Sequence, residues 1–359
     1  MGALPQATEI EVSVIGPGHG ESVVVHLGHG EWLIVDSCVD TTDPQKPVVP
    51  LRYLQQLGVR VDNDVKFIVA SHWEDAHVRG IGEIVEACPT ALFVCSHVFP
   101  ADKFASFVEA ISIGSAATDG GAVKNFRKVL QILSSRGAAI RRAGPGVKLC
   151  SNPLIQSWSP SPQDETEFLY YLAQSHPQAG EPLRKAVLGS GNLTSVVLSI
   201  DWPEISVLLG ADMESSPDGR RGWGAVISEA QRLGGWVRGD FIKVPHHGSE
   251  TGHHDGMWDT LLVPKPISVV APFGRGSVNS RPPKSSDVRR ISQRSRAMFL
   301  TARHVKPKLP RMGVAVTRSL REGMIAVTSQ RTPIGMVRHR RLSGGQWKHE
   351  LFGAAARVK

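Results

Sequence analysis

The amino-acid sequence predicts an α/β fold, an αββα sandwich of two mixed β-sheets flanked by helices. Short apolar runs typical of strands are frequent at both ends of the chain. Segments whose apolar residues recur at helical spacing separate the later runs. This pattern favours layers of strands covered by helices, because each sheet face must bury its apolar residues against another element. With 359 residues, the chain is long enough for one large domain.

The individual elements follow from apolar spacing and from the glycine and proline residues that end each run. The predicted strands cover 9–15, 22–27, 31–35, 65–70, 91–95, 194–200, 205–209, 241–244 and 267–270, with short strands after 310. The predicted helices cover 49–58, 78–87, 122–136, 224–233 and 285–296.

The elements are expected to form one domain. Residues 1–300 carry the alternating strands and helices, and the irregular stretch 151–190 within them is interpreted as an insertion. Residues 301–359 are expected to add basic C-terminal strands to the same domain. We see no linker that would divide the chain into independent units.

The net charge of +8 is unevenly distributed along the chain. Residues 281–359 hold 19 Lys and Arg against 3 Asp and Glu, whereas the remaining residues hold 22 against 30. A basic segment attracts polyanions and releases counterions when it binds them. We expect nucleic acid or a nucleotide as a partner, with a protein partner or a merely solvated basic face as alternatives.

Cysteine usage and hydropathy bear on the compartment. Cys38, Cys88, Cys95 and Cys150 form no C-x-x-C pair, so we expect reduced core residues rather than a disulfide framework. No run of about 18 apolar residues predicts a membrane span, and the first residues lack the pattern of a secretory signal. The sequence therefore predicts a cytoplasmic protein that does not contact a membrane.

Four polar clusters directly follow predicted strands, where the loops of layered α/β folds carry functional groups. They are Asp36-Ser37-Cys38, the group His72, Glu74, Asp75 and His77, Gly210-Ala211-Asp212, and His246-His247-Gly248-Ser249. Imidazole and carboxylate suit Zn²⁺ or Mn²⁺, and one carboxylate can bridge two ions. We expect a hydrolytic centre with one or two ions, although each cluster alone is also consistent with a structural turn.

The order of these clusters resembles the metallo-β-lactamase fold, and most closely its ComEC-type branch, named for the DNA-uptake protein. The resemblance runs from about residue 10 to about residue 300. The motifs that carry it are Gly18-His19-Gly20-Glu21-Ser22, Leu33-Ile34-Val35-Asp36-Ser37, the loop 71–80 (SHWEDAHVRG), Asn192 with Ser195, Val197 and Leu198, Leu208-Leu209-Gly210-Ala211-Asp212, and Lys243-Val244-Pro245-His246-His247-Gly248-Ser249.

The resemblance implies a role for each matching position. His72 and Glu74 would hold a first ion and His77 a second. Asp212 would bridge the two ions, and His246 would complete the second site. Neutral imidazole nitrogens and carboxylate oxygens are suitable donors for such ions.

The loop 71–80 departs from the family pattern at the position of Ala76, where the family has an aspartate that binds the second ion and handles protons. A methyl group neither coordinates a cation nor accepts a proton. Asp75 is adjacent and could substitute only if the loop shifts by one residue. Catalytic roles are accordingly expected of Asp36, Asp75 and Asp212, with Asp36 supporting a ligand from behind.

The predicted function is a metal-dependent hydrolase of the phosphodiesterase or nuclease class, acting on nucleic acid or nucleotides and impaired by Glu74 and Ala76. Metal-activated water would attack the ester bond. Phosphate contacts are expected from His247, Ser249, Arg281, Lys284, Arg289 and Arg290.

Three interpretations of the altered loop stay open. The chain is an active hydrolase with one good ion or a rearranged pair, a naturally degenerate member, or an active protein altered on purpose at Glu74 and Ala76. The alternative function is a non-catalytic scaffold or binding subunit of a larger, defence-related assembly. A lactamase or thioesterase activity ranks lower, because no sequence feature marks an acyl pocket.

Overall fold

The computed structural model describes residues 2–17, 20–98, 121–175, 191–273, 281–303 and 333–358. Within these ranges, sixteen strands form two eight-stranded sheets that pack face to face. Helices cover the outer face of each sheet. The predicted fold class, an α/β sandwich of two mixed sheets flanked by helices, is therefore confirmed.

The first sheet has the strand order β15-β14-β1-β2-β3-β4-β5-β6. Strands β3 to β6, which form one half of the sheet, run parallel, and the strands from β3 back to β15 are antiparallel neighbours. The bounds are β1 Glu9–Gly16, β2 Ser22–Gly28, β3 Glu31–Val35, β4 Val65–Ala70, β5 Leu92–Ser96, β6 Ile140–Ala143, β14 Gly335–Leu342 and β15 Lys348–Gly353.

The second sheet has the strand order β16-β13-β12-β11-β10-β9-β8-β7. Strands β10 to β13 run parallel, while the outer strands pair antiparallel. The bounds are β7 Val147–Ser151, β8 Leu154–Ser157, β9 Leu198–Trp202, β10 Ile205–Leu209, β11 Gly239–Lys243, β12 Leu262–Val270, β13 Ala297–Leu300 and β16 Ala356–Arg357.

Eight α-helices lie in the described ranges. Most of them pack apolar side chains on a sheet's outer face, as their periodicity predicts. Their bounds are α1 Val49–Leu57, α2 Val61–Asp64, α3 Asp75–Val78, α4 Ile81–Ala87, α5 Gly121–Ser135, α6 Pro162–Ser175, α7 Gly222–Leu233 and α8 Ser285–Gln293. No helix among the described residues is both long enough and apolar enough to cross a membrane.

Three apolar clusters hold the layers together. One fills the space between the sheets, where Val14, Leu33 and Phe241 are among the fully buried side chains. The other two lie between each sheet and its helices, around Trp32 and Trp223 respectively. Burying each large apolar side chain contributes about 1.5–3 kcal/mol to folding, so these clusters fix the positions of the strands.

Residues 151–157 correct the predicted insertion at 151–190. They belong to β7 and β8, which are part of the second sheet, and α6 follows them. The apolar pattern of β6 and β7 is weak because Arg141, Arg142 and Lys148 point to solvent, which explains why sequence patterning missed these strands. Residues 176–190 lie outside the described ranges.

The C-terminal segment contributes to both sheets. Strand β14 pairs antiparallel with β1 along its whole length, and β16 pairs with β13. A buried ion pair supports the first junction, where Arg340 Nε donates to the Oε2 atom of the fully buried Glu11 at 2.7 Å. Residues 304–332, which include much of the predicted basic strand region, lie outside the described ranges.

The parallel strands of both sheets end at the same side of the sandwich. Strands β3, β4, β10 and β11 end at Val35, Ala70, Leu209 and Lys243, and the four predicted polar clusters follow these ends. The fold thus brings loops from two different sheets together. This convergence defines the candidate site.

His339, on β14, lies between the sheets with 1% of its surface exposed, and neither ring nitrogen has a hydrogen-bond partner in the described structure. Burial, reinforced by nearby His349 and Arg296, lowers the pKa of His339 to about 3. The folded state therefore excludes a proton that the unfolded chain binds below its ordinary pKa of about 6.5. Its neutral form stabilises the fold above that pH, and this contribution is lost as the pH falls towards 3.

Replacing His339 with leucine is expected to remove part of the acid sensitivity of folding. Between pH 7 and pH 5, the unfolding free energy of the unchanged protein should fall by about 2 kcal/mol more than that of His339→Leu. Urea denaturation at both pH values measures this difference, and acid-sensitive groups shared by both proteins cancel. Equal losses in the two proteins would contradict the prediction.

Candidate metal centre

Asp36 anchors the loops of the first sheet. It follows β3 in a left-handed conformation with φ of 59°, which turns its carboxylate towards the loop after β4. Its Oδ1 accepts the Ser71 backbone N–H at 2.7 Å, and its Oδ2 accepts the Ser71 hydroxyl at 2.6 Å and His77 Nδ1–H at 2.8 Å. One buried carboxylate thus fixes the ring orientation of His77.

His77, Asp212 and His247 form the centre of the site. His77 Nε2 lies 3.1 Å from Asp212 Oδ2, and His247 Nε2 lies 3.2 Å from the same oxygen. All three side chains are buried, with at most 4% of a residue's surface exposed. Ligands about 2.0–2.1 Å from a tetrahedral Zn²⁺ ion lie about 3.3–3.4 Å apart, close to these spacings.

The two histidines present the correct nitrogen for a cation. His77 donates its Nδ1–H to Asp36, and His247 Nδ1 donates to the backbone oxygen of Ala271 at 2.9 Å. In each ring, Nε2 is therefore the atom that faces Asp212. Histidine ligands in metal sites typically donate their other N–H to a carboxylate or a backbone carbonyl, which matches both rings.

His72 supplies a buried nitrogen that lacks a partner. The Ser71 hydroxyl has one proton, which it donates to Asp36, so it accepts from His72 Nδ1–H at 3.0 Å. This leaves a lone pair on Nε2, and that atom is buried with no hydrogen-bond partner among the described residues. The ring centroid lies 4.2 Å from that of His77. An orphaned acceptor in this position fits a cation or its bound water.

Lys243 and Glu21 add a buried ion pair to the site. The Lys243 ammonium contacts Glu21 Oε1, donates to the backbone oxygen of Ala211 at 2.8 Å and lies 3.6 Å from Asp212 Oδ1. Glu21 Oε2 lies 3.3 Å from His247 Nδ1. The lysine thus places a positive charge near Oδ1 of Asp212, whereas His77 and His247 contact Oδ2. A second divalent ion on that side would meet charge repulsion.

The position of Glu21 depends on the neighbouring glycine. Gly20 has a φ of +104°, and a Cβ atom there would come within 1.9 Å of the Ala76 carbonyl oxygen. The Glu21 backbone N–H donates to that same oxygen at 3.1 Å. Only glycine allows this close approach, which delivers the Glu21 carboxylate into the interior.

Charge pairing shifts the pKa values within the centre. Burial alone would raise the pKa of Asp212, yet His247 and His77 hold it well below its ordinary value. Burial would lower the pKa of His77, but Asp212 and Asp36 hold it well above the usual range. Burial, with His77 as a charged neighbour, lowers the pKa of His72 well below normal, so this ring is neutral and able to bind a cation.

The rest of the loop 71–80 only partly follows the sequence-based expectations. Ala76 is buried beside the group and offers no ligand atom. Asp75 lies outside the group, because its carboxylate faces Arg79 at 2.5 Å and packs near Gly121 at the start of α5. Glu74 lies at the mouth of the site and is exposed on one side. Its other side packs against the protein, and this partial desolvation raises the pKa of its carboxyl.

His246 does not join the buried group, although the resemblance assigned it a ligand role. Its Nδ1 lies 2.8 Å from Glu214 Oε1, and its Nε2 faces the Asn192 amide at 3.3 Å. The next residue, His247, takes the position beside Asp212, instead of the predicted phosphate contact. The two rings point apart because both residues adopt left-handed backbone angles, with φ of 44° and 54°.

The predicted phosphate contacts are divided between structural and exposed positions. Arg290 donates from Nη2 to the backbone oxygens of Gly248 and Ser249, both at 3.0 Å, and so braces the loop after β11. The Ser249 hydroxyl bonds within this loop. Lys284 and Arg289 are exposed at the start and on the surface of α8, whereas Arg281 is buried.

Sequence reasoning gave no site role to Lys243 and Ser71. A charged residue within the apolar run 241–244 was the available signal for Lys243, since lysine is seldom fully buried without a partner. No comparable signal exists for Ser71, because its role depends on the distance to Asp36. Gly18 and His19, the first two residues of the motif Gly18-His19-Gly20-Glu21-Ser22, lie outside the described ranges.

Comparisons with known proteins give likenesses only at the level of structure. No protein-family model matches the chain, and no curated protein matches it. Among solved structures, the Rm3 metallo-β-lactamase is 14% identical with a TM-score of 0.36, over 69% of this chain and 81% of that chain. The hydrolase AbOPH of the β-lactamase superfamily is also 14% identical with a TM-score of 0.36, over 63% and 72%.

A third similar structure is a metallo-β-lactamase with a HARLDQ motif from Cronobacter sakazakii. It is 14% identical with a TM-score of 0.32, over 64% of this chain and 72% of that chain. At such identities the likeness concerns the layered architecture. It says nothing about the substrate or the activity of this chain.

Replacing Asp36 with asparagine is expected to weaken metal binding without removing a direct ligand. The change disturbs the bond that orients His77, and losing such a supporting partner lowers metal affinity by about 10–100-fold. Competition against a fluorescent zinc chelator measures the affinity. The control is Asp62→Asn, an exposed aspartate on α2, and a loss equal to that of the control would contradict the role of Asp36.

Proposed function

We propose that this chain is a metal-dependent hydrolase whose centre holds one divalent cation, Zn²⁺ or Mn²⁺, between His77, Asp212 and His247. The observation that carries the proposal is the convergence of these three buried ligand atoms within 4.8 Å of one another. Two imidazoles and one carboxylate are typical of catalytic zinc sites, in which the fourth position is left for water or substrate.

The proposed number of ions follows from charge. The resemblance allows one or two, but the second position lacks the aspartate that Ala76 replaces. The buried Lys243 ammonium also lies 3.6 Å from Asp212 Oδ1. A cation at Asp212 Oδ1 would be repelled by this lysine, so only Oδ2 is available as a ligand atom. One ion is therefore the better fit.

The cation would supply a water molecule with a pKa lowered towards neutrality and an electrophilic contact for the ester oxygen. Asp36 keeps His77 in the orientation that exposes Nε2. The neutral His72 directs its Nε2 lone pair into the buried interior, where it can accept a hydrogen bond from water or substrate and so orient it. Glu74, with its raised pKa at the mouth, is the carboxyl that can exchange a proton with solvent.

The proposed substrate is a phosphodiester of a nucleic acid or nucleotide. Support comes from the cations on α8, which packs against the loop after β11. Lys284 and Arg289 are exposed there, and Arg290 fixes the loop that carries His247. Phosphate oxygens favour such positive surfaces. The double change Lys284→Gln with Arg289→Gln should weaken the binding of a polyanionic substrate more than the binding of a small substrate.

Ala76 and Lys243 favour a second candidate function, a non-catalytic scaffold or binding subunit of a larger assembly. In that case three positive side chains balance three negative ones: His77, His247 and Lys243 against Asp36, Asp212 and Glu21. This network of buried charges stabilises the contact between the sheets. Such a protein would keep its fold when metal is withheld.

A comparison of neighbouring histidines tests the hydrolase proposal. Bound metal is measured by elemental mass spectrometry, and activity is measured on bis(p-nitrophenyl) phosphate with added Zn²⁺ or Mn²⁺. His247→Ala should lower both by more than about 100-fold, because it removes a direct ligand rather than a supporting group. His246→Ala is the matched control and should retain bound metal.

The two outcomes separate the candidate functions. About one ion per chain, lost in His247→Ala and kept in His246→Ala, supports the proposed centre. A protein that takes up no metal and shows no activity, yet unfolds at the same temperature with and without chelator, supports the scaffold. Equal effects of the two histidine changes would overturn the assignment of His247.

The double change Glu74→His with Ala76→Asp tests whether these residues limit the activity. It adds an imidazole and a carboxylate as ligand groups, and the added negative charge offsets that of Lys243, so metal content should rise above one ion per chain and hydrolysis should increase at least tenfold. The same metal-content and rate measurements apply. An unchanged ion count with an unchanged rate would show that Glu74 and Ala76 are not what limits the centre.

A further inference from the structure

A cavity lies between the sheets, away from the candidate metal centre. Its volume is about 520 Å³, within the roughly 300–1,000 Å³ range of small-molecule sites. It is lined by the first residues of β13, the second half of β14 and the beginning of β15. The loop that joins β14 to β15 covers one side with Trp347.

The cavity lies at the opposite end of the strands from His77 and Asp212. The metal centre follows the carboxyl ends of β10 and β11, whereas Ile267 and Ala297 line the cavity from earlier positions in β12 and β13. On β14, His339 stands four residues beyond Gly335, which pairs with Gly16 at the metal-centre end. Four residues of strand span about 13 Å.

Three guanidinium groups give the cavity a positive charge. Arg296, Arg341 and Arg357 line it, and the nearby carboxylate is Asp240. Arg341 Nη1 lies 2.9 Å from Asp240 Oδ2, whereas Arg296 Nη2 lies 3.8 Å away. One carboxylate against three guanidinium groups leaves a net charge of two positive units among these four residues. Arginine is the side chain best suited to bind phosphate oxygens, through paired N–H donors.

Two residues that line this cavity carry buried polar atoms without hydrogen-bond partners among the described residues. Arg341 Nε is buried without a hydrogen-bond partner in the described structure, and so are both ring nitrogens of His339. His339 has only 1% of its surface exposed, and it is one of the residues that line the cavity. A buried neutral imidazole with no partner has lost its hydrogen bonds to water without replacement, and a ligand with one donor and one acceptor would restore them.

Aromatic rings form the remaining wall. Phe299 lies 4.8 Å from the His339 ring and 4.7 Å from the His349 ring, measured between centroids. Trp347 lies 6.2 Å from His339, and its indole N–H is held by Asp240 at 3.0 Å. This bond fixes the indole plane at the edge of the cavity. Fixed aromatic faces beside guanidinium groups favour a planar ring that carries an anionic group.

We propose that this cavity binds a mononucleotide, with its base against Trp347 and Phe299, its heteroatoms on His339, and its phosphate on Arg341 and Arg357. The basic charge of the C-terminal segment is thereby assigned in part to a small-molecule site inside the fold. The site is separate from the metal centre, so the proposal holds for either candidate function. The ligand would bridge β14 and β15 of the first sheet to β13 of the second.

Isothermal titration calorimetry of the full-length protein tests this proposal. Adenosine 5′-monophosphate and guanosine 5′-monophosphate are titrated separately, with adenosine and inorganic phosphate as partial probes, before and after treatment with chelator. We expect saturable binding of one nucleotide per chain. We expect weaker binding of adenosine and of phosphate, and no effect of chelator.

Arginine variants locate the ligand. Arg357→Gln changes an exposed side chain, and it should weaken nucleotide binding about tenfold through the loss of a charged hydrogen bond. Arg341→Gln should have an effect at least as large. The matched control is Arg232→Gln on α7, whose guanidinium pairs with Glu229 on the surface and should not affect binding.

Each alternative result would overturn the proposal. Absence of saturable binding for both nucleotides excludes the site. Binding that is lost with chelator and unchanged in Arg357→Gln places the nucleotide at the metal centre instead. Phosphate binding as tight as the nucleotide removes the role of the aromatic wall, and unchanged affinity in both arginine variants removes the role of the guanidinium groups.

Discussion

A single carboxylate oxygen, Oδ2 of Asp212, contacts loops of both sheets at the carboxyl ends of their parallel strands. It lies 3.1 Å from His77 Nε2, in a loop of the first sheet, and 3.2 Å from His247 Nε2, in a loop of the second. A carboxylate removed from water must have positive charge or donors around it, so neither loop can withdraw without a large electrostatic cost. The same contacts therefore fix both the relative position of the sheets and the spacing of the three ligand atoms.

The sequence was sufficient for the parts of the molecule that repeat a strong apolar pattern. Strands such as β1, β4 and β10 are buried along most of their length, so their apolar runs predicted them. Strands β6 and β7 are partly exposed and carry charged residues, so the same reasoning missed them. Asp212 was predicted in the site because it directly follows a buried strand. The choice between His246 and His247 depended on backbone angles that spacing along the chain does not determine.

The basic count of the C-terminal segment overstates its free positive charge. Arg290 and Arg294 contact aspartates near α8, and Arg338 and Arg340 contact glutamates beside β14. The structure thus uses much of this charge internally, and composition alone could not reveal that. The same residue type also serves opposite purposes at the two ends of the sandwich. His77 is held between carboxylates, whereas His339 is surrounded by Phe241 and Phe299 and is uncharged.

The pairing of β1 with β14 has a consequence for the order of events during synthesis. Strand β1 is synthesised before the other strands of its sheet, yet one of its edges stays open until residues beyond Gly335 have been made. During that interval the nascent sheet presents unpaired backbone groups and the buried Glu11 lacks Arg340. Contacts of such long sequence separation form late and slow the completion of a domain. A ribosome that stalls before β14 would therefore release a chain with an open, aggregation-prone edge at the middle of its first sheet.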